Sequence, residues 1–248
     1  MFCKRPLKNV LLFNIAALVC SEVSAGVVIT GTRLIYPADK NEITVSLNNH
    51  GALPVLTQSW VDTGSIDSTP TSSKAPFLIS PPVARIDPAK GQSLRLLFNG
   101  SPVPQDKESV FWLNVLEIPP KPQGGNAENS LQMAFRSRIK LFYRPTGLPG
   151  SASEAIELVQ WQLVPSGTGK GFALQAFNPS AYHVSLVELN LVVGKRYDRS
   201  EDGMVAPGET RQFSLPTLDG RPTAVAQVEF NAINDYGALV PIRKTLQP

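Results

Sequence analysis

The 248-residue chain is poor in the side chains from which most catalytic and metal centres are made. It has two cysteines, Cys3 and Cys20, and two histidines, His50 and His183, so thiol chemistry and a histidine- or cysteine-bound metal have little to build on. Charge of one sign is also lacking: 23 Lys plus Arg against 20 Asp plus Glu leave a formal charge of +3, and the basic residues are scattered. That excludes a phosphate-tracking surface, and no nucleic acid is expected as partner. After the first 25 residues no apolar run approaches the ~20 residues of a spanning helix, so no membrane insertion is expected. Helical periodicity is scarce, and 22 Pro and 18 Gly interrupt the chain too often for a helical bundle.

What is present begins with the three parts of an export signal. Lys4, Arg5 and Lys8 precede an apolar run over 10–19 that is broken by Asn14, and Val23 and Ala25 put small side chains where a signal peptidase requires them. Residues 1–25 are therefore expected to be removed, with Gly26 as the mature start. Both cysteines leave with them, so the exported protein must be held together by packing alone.

The rest of the chain carries short alternating or apolar runs between breaker clusters. Strands are expected over 27–36, 42–48, 55–62, 77–79, 93–97, 109–118 and 131–143. After a break at Pro145, Gly147, Pro149 and Gly150 they are expected over 156–163, 172–177, 183–193, 211–215, 224–231 and 239–245. The fold class this implies is all-β, with two immunoglobulin-like sandwiches in tandem at an angle, over 26–146 and 147–248.

Candidates for catalysis are few. His50 beside Gly51 and His183 at the start of a strand have no ligating neighbours at metal spacing, and both read as surface or partly buried imidazoles. Gly167, Gly169, Lys170 and Gly171 look superficially like a phosphate loop, but the spacing fails, and a hairpin turn accounts for the glycines better. Asp62 with Asp67, and Glu201 with Asp202, read as solvated acids in loop-like stretches. No enzyme, no cofactor and no metal site is expected.

One segment stands apart. From Leu131 the chain reads LQMAFRSRIKLFYRP. Its odd positions are Leu131, Met133, Phe135, Ser137, Ile139, Leu141 and Tyr143, and its even positions include Arg136, Arg138, Lys140 and Arg144. In a strand these sets lie on opposite faces, one almost wholly apolar and one basic, over ~40 Å. Such a segment is either a long buried strand with a solvated face or a template that lends its edge to another chain.

The stretches "TRLIYP", "FLISPPVARIDP", "VFWLNVLEIPP", "RIKLFYRP" and "NDYG" stand in this order along the chain. As a set they resemble the periplasmic chaperones of bacterial pilus assembly, a system that is also a standard example of strand donation between sandwiches. The resemblance implies a periplasmic protein that caps pilus subunits with its last first-domain strand and passes them to an outer-membrane usher. It implies donor positions at Leu131, Met133 and Phe135, where Met and Phe replace the more usual branched aliphatics. Arg33 and Lys140 match the basic pair that holds a subunit's C-terminal carboxylate, and Glu108, Arg144 and Asp235 match charges that tie the two domains. The connection over 121–130, with Gly124, Gly125 and no cysteine, points to the short-loop branch. Self-capping of the free protein through its apolar strand is left open. The rival reading is a structural or adhesive surface protein of tandem sandwiches.

Overall fold

The computed structural model describes residues 26–121, 133–167 and 171–246. The expected export signal and Leu131 lie outside the described residues. Among those described, the first sandwich contains β1 (Val27–Ile29), β2 (Arg33–Pro37), β3 (Glu42–Asn49), β4 (Val55–Asp62), β5 (Phe77–Ser80), β6 (Val83–Ile86), β7 (Gly91–Phe98), β8 (Ser109–Ile118) and β9 (Phe135–Arg144). One sheet has the order β1-β3-β7-β5 and the other β2-β9-β8-β4-β6. Alternation makes the core: Val45 and Leu47 of β3 and Leu94 and Leu96 of β7 share one buried cluster with Leu113 and Val115 of β8 and Leu141 and Tyr143 of β9.

The strand expected over 27–36 is in fact two strands on different sheets. β1 pairs antiparallel with β3, whereas β2 pairs parallel with β9. Gly31, at φ +95°, lies in the crossing between them, a backbone conformation that L side chains avoid. β6 was not expected from the sequence. Only Ile86 of its four residues is fully buried, so its apolar signal is weak. The long strand expected from 131 begins at Phe135, and Met133 and Ala134 precede it as exposed, irregular chain.

The second sandwich contains α1 (Ala152–Leu158), β10 (Gln160–Pro165), β11 (Phe172–Phe177), β12 (Val184–Val193), β13 (Arg196–Arg199), β14 (Gly203–Val205), β15 (Thr210–Leu215), β16 (Ala226–Ile233) and β17 (Leu239–Thr245). A sheet β10-β11-β15 faces a sheet β13-β12-β16-β17, with β14 also on β12. In β16 every second residue is buried: Ala226, Val228, Phe230 and Ala232. β10 and β11 are antiparallel, with Pro165 opposite Phe172, and Gly169 and Lys170 of the glycine-bearing stretch between them lie outside the described residues.

The expected strand over 156–163 is corrected to the end of a helix followed by a strand. Ser151 is the N-cap of α1, its Oγ accepting from Glu154 N at 3.2 Å, and Ala155 and Ile156 bury the helix against the second core. The S-x-x-E capping signature is present in the sequence, but a seven-residue helix is too short to show a 3.6-residue period. β13 and β14 also went unexpected, being short and rich in polar residues or glycine.

Gly31→Ala should destabilise the protein by roughly 1 to 3 kcal/mol, because the positive φ at the sheet crossing becomes strained. Urea unfolding at fixed pH measures it, and an unchanged midpoint would show that the crossing can be rebuilt without glycine.

Candidate functional site

The parallel pairing of β2 with β9 sets Arg33 opposite Lys140 and Pro37 opposite Arg144. With the odd residues of β9 committed to the first core, the even residues Lys140, Phe142 and Arg144 point toward the second domain. Phe142 is buried there, with the His183 ring 5.5 Å away and the Arg33 guanidinium 5.7 Å from its centre.

The joint between the domains is built around Glu108, whose side chain is only 2% exposed. A carboxylate removed from water requires partners. Its Oε1 accepts from Arg144 Nε at 2.9 Å and Nη2 at 2.8 Å. Its Oε2 accepts from the backbone N of His183 at 2.9 Å and lies 3.0 Å from His183 Nδ1. Arg144 reaches on to the second domain, donating from Nη1 to Asp235 Oδ2 (2.6 Å) and from Nη2 to Asp235 Oδ1 (2.9 Å), and it lies over the Tyr182 ring at 5.2 Å. Burial disfavours its charge, but Asp235 and Glu108 more than compensate and hold the guanidinium above the usual arginine range. The structure thus brings Glu108, Arg144 and Asp235 into one network. Asp235 sits in the tight turn between β16 and β17, closed by Gly237 N donating to Asn234 O at 3.0 Å.

Beside this joint, Arg33 and Lys140 form no ion pair among the described residues. Lys140 Nζ donates to Ser185 Oγ at 3.1 Å, and Arg33 Nη1 to Ile233 O at 2.8 Å, both across the domain boundary. Arg33 Nε is enclosed and has no hydrogen-bond partner among the described residues. Burial lowers the Lys140 ammonium to a pKa of about 8, and the nearby positive charges of Arg33 and Arg211 push the same way. Arg33 is likewise lowered by burial, with Asp235 and Glu108 pulling in the opposite direction. Arg33 and Lys140 are thus two adjacent cations, neither with an anionic partner among the described residues.

Along β9 the Arg33–Lys140 rung is also where pairing changes. β8 pairs with β9 from Phe135 to Tyr143, but β2 covers only Lys140 to Arg144. Among the described residues the outer edge of 135–139 therefore has no ladder. Phe135 and Met133, on the core-facing side, are 59% and 54% exposed, while Ile139 already packs against the core.

One sequence expectation needs correction. Asp62 is not a solvated loop acid: it ends β4, is fully buried, and accepts from Arg138 Nη2 at 2.6 Å and Asn114 Nδ2 at 2.7 Å. Burial opposes its charge, and the hydrogen bonds from Arg138, Asn114, Gly64 and Ser68 outweigh it and lower its pKa. His183, expected at the surface or partly buried, lies in the joint with its side chain 5% exposed. His183, Glu108 and Asp235 come together beside a cavity of only about 10 Å³, roughly the room of one water, so they offer no substrate site. Among the described residues no three His, Cys, Asp or Glu gather as metal ligands.

Comparison with known proteins covers both sandwiches. The family described as "Pili and flagellar-assembly chaperone, PapD N-terminal domain" matches residues 26–149, and "Pili assembly chaperone PapD, C-terminal domain" matches 154–244. The chain is 44% identical over 220 residues to the probable fimbrial chaperone YadV of Escherichia coli, covering 87% of this chain and 88% of that protein. It is 39% identical over 226 residues to the chaperone protein FimB/FhaD of Bordetella pertussis, covering 90% and 88%. Its fold matches the crystal structure of the YadV chaperone with a TM-score of 0.78 at 39% identity, covering 90% of this chain and all of that one. A Salmonella enterica structure described as SafA pilin in complex with the SafB chaperone matches with a TM-score of 0.71 at 26% identity, covering 89% of this chain and 96% of the matched one.

Arg144→Ala leaves the buried Glu108 without its guanidinium. The loss should be about 3 to 5 kcal/mol of stability. Small-angle scattering should show a wider spread of domain separations in the variant, and an unaltered scattering profile would assign the fixed joint to other contacts.

Proposed function

The chain belongs to the PapD-type family of pilus-assembly chaperones, and we propose that it caps pilus subunits by lending them the open half of β9. It is a periplasmic, non-enzymatic fimbrial chaperone that binds pilin subunits, and this replaces the reading as a structural or adhesive surface protein. The observation that carries the donor-strand reading is the end of β2 pairing at the Arg33–Lys140 rung, directly beside an unpaired edge over 135–139.

A subunit whose C-terminal carboxylate is held by Arg33 and Lys140 would run back along 139 to 135. It would lie parallel to β9 and abut the start of β2. Backbone bonds along the edge and burial of Met133 and Phe135, at roughly 1.5 to 3 kcal/mol for each large apolar side chain, would oppose the entropy of association. Leu131 is the third donor position. The carboxylate anchor sets which residue of the subunit meets each donor side chain, since an alternating strand can otherwise slip by two residues and keep its faces. The Glu108–Arg144–Asp235 network would keep the second domain at a fixed angle beside that anchor.

The same reading covers the remaining expectations. Residues 1–25 are the export signal, 26–146 the donor-strand domain and 147–248 the second domain. Passage to an outer-membrane usher follows from the family role. The cysteine-free connection between β8 and β9 favours the short-loop branch. In the free protein, a second copy could cover the same apolar edge.

Arg33→Ala and Lys140→Ala, expressed separately, should each deplete folded subunits from the periplasm, measured by immunoblotting. Undiminished subunit levels with both variants would overturn the anchor.

Affinity should also depend on pH. The empty cleft favours neutral Lys140 above a pH of about 8, whereas a bound carboxylate favours the ammonium. Binding of a synthetic peptide with alternating apolar residues and a free C-terminal carboxylate should be flat below that pH and weaken by about tenfold per pH unit above it. Lys140→Arg should flatten the profile between pH 7 and 9, as read by fluorescence anisotropy.

A further inference from the structure

This inference rests on the reading that β9 lends its open edge. A strand paired on one side only is among the least constrained parts of a sheet. Over 135–139, β9 has β8 on one side, and its core-facing Phe135 and Ser137 are exposed. The opposite face is held very differently. The Arg136 and Arg138 side chains are only 25% and 16% exposed, although arginine at an exposed edge ordinarily extends into water.

Both arginines converge on β4 and β8. Arg138 donates to Asp62 Oδ1 at 2.6 Å and Oδ2 at 3.2 Å and lies over the Trp112 ring at 4.3 Å. Arg136 donates from Nε and Nη2 to Asn114 Oδ1 at 2.9 and 2.7 Å, and from Nη1 to Ile66 O at 2.6 Å, and it lies over Trp60 at 4.8 Å. Asp62 closes the network. Its Oδ2 accepts from Asn114 Nδ2 at 2.7 Å and Ser68 Oγ at 3.0 Å, and its Oδ1 accepts from Gly64 N at 2.6 Å. Ser68 in turn accepts from Trp60 Nε1 at 3.0 Å and from Arg136 Nη2 at 3.2 Å.

We propose that Asp62 is a positioning residue for the donor strand, holding Arg138 by hydrogen bonds and Arg136 both by an ion pair at 3.5 Å and through Asn114 and Ser68, so that the unpaired half of β9 is already extended when a subunit arrives. Binding then has to order only the incoming chain. A charge network kept for stability alone could be replaced by apolar packing of equal volume. Its concentration on the two even positions of the unpaired half assigns it to the edge.

Hydrogen exchange and peptide affinity of the full mature chain test this together. In Asp62→Asn, amides over 135–139 should exchange at least tenfold faster, with those over 140–144 nearly unchanged because β2 still covers them. Affinity for an octapeptide with alternating apolar residues and a free carboxylate should fall by about tenfold, while the ratio of its affinity to that of the same peptide as C-terminal amide stays constant. Leu189→Ala, in the second core, controls for lost stability and should leave both readouts unchanged. If Asp62→Asn does not fold, Arg136→Gln keeps the Asp62–Arg138 pair and should show the same pattern at about threefold. Exchange and affinity no different from Leu189→Ala would overturn the proposal. Equal wild-type affinities for acid and amide would instead overturn the carboxylate anchor, and the exchange measurement would still decide the role of Asp62.

Discussion

The structure depends on holding the shape of a strand that, among the described residues, has two neighbours along one half and only one along the other. An edge with free backbone groups and exposed apolar side chains invites indiscriminate association, and proteins normally cover, shorten or charge it. β9 meets this constraint by division. From Lys140 onward it is an interior strand between β2 and β8, and before Lys140 it is, among the described residues, an edge. In the proposed function the covered half would supply the rigidity and the open half the pairing edge.

The two halves are served by opposite faces of the same strand. Odd side chains pass from the closed core at Leu141 and Tyr143, through Ile139 and the exposed Ser137, to exposure at Phe135 and Met133. Even side chains pass from the domain joint at Arg144, through Lys140, which has no anionic partner among the described residues, to the arginines at 138 and 136. The basic groups in this series meet different surroundings, although all stand on one face of the strand. Two carboxylates hold Arg144 charged, burial lowers the pKa of Lys140, and Asp62 forms an ion pair with Arg138.

The alternation that defines β9 was legible in the sequence because it is local, and so were most strands of both sandwiches. Relations between distant residues were not. Asp62 looks like a turn acid when its only visible neighbours are Thr63 and Gly64, and its partner Arg138 lies 76 residues away. His183 likewise meets Glu108 across 75 residues. Gly31 sits between two apolar runs that read as one, and nothing local shows that the chain changes sheets there. Helix α1 was hidden by its length, although Ser151 and Glu154 carried its start. The positions Arg33, Lys140, Glu108, Arg144 and Asp235 came from resemblance rather than from composition or period.

The parallel run of β2 against β9 carries a geometric consequence. A foreign strand laid on the same edge meets the head of β2 end-on, as a sentence meets its full stop. In the proposed complex the guest is therefore measured backward from its last residue, and an added or missing residue at that terminus would turn its inward side chains outward. The host's own second strand would thus act as a ruler for the tails of its guests.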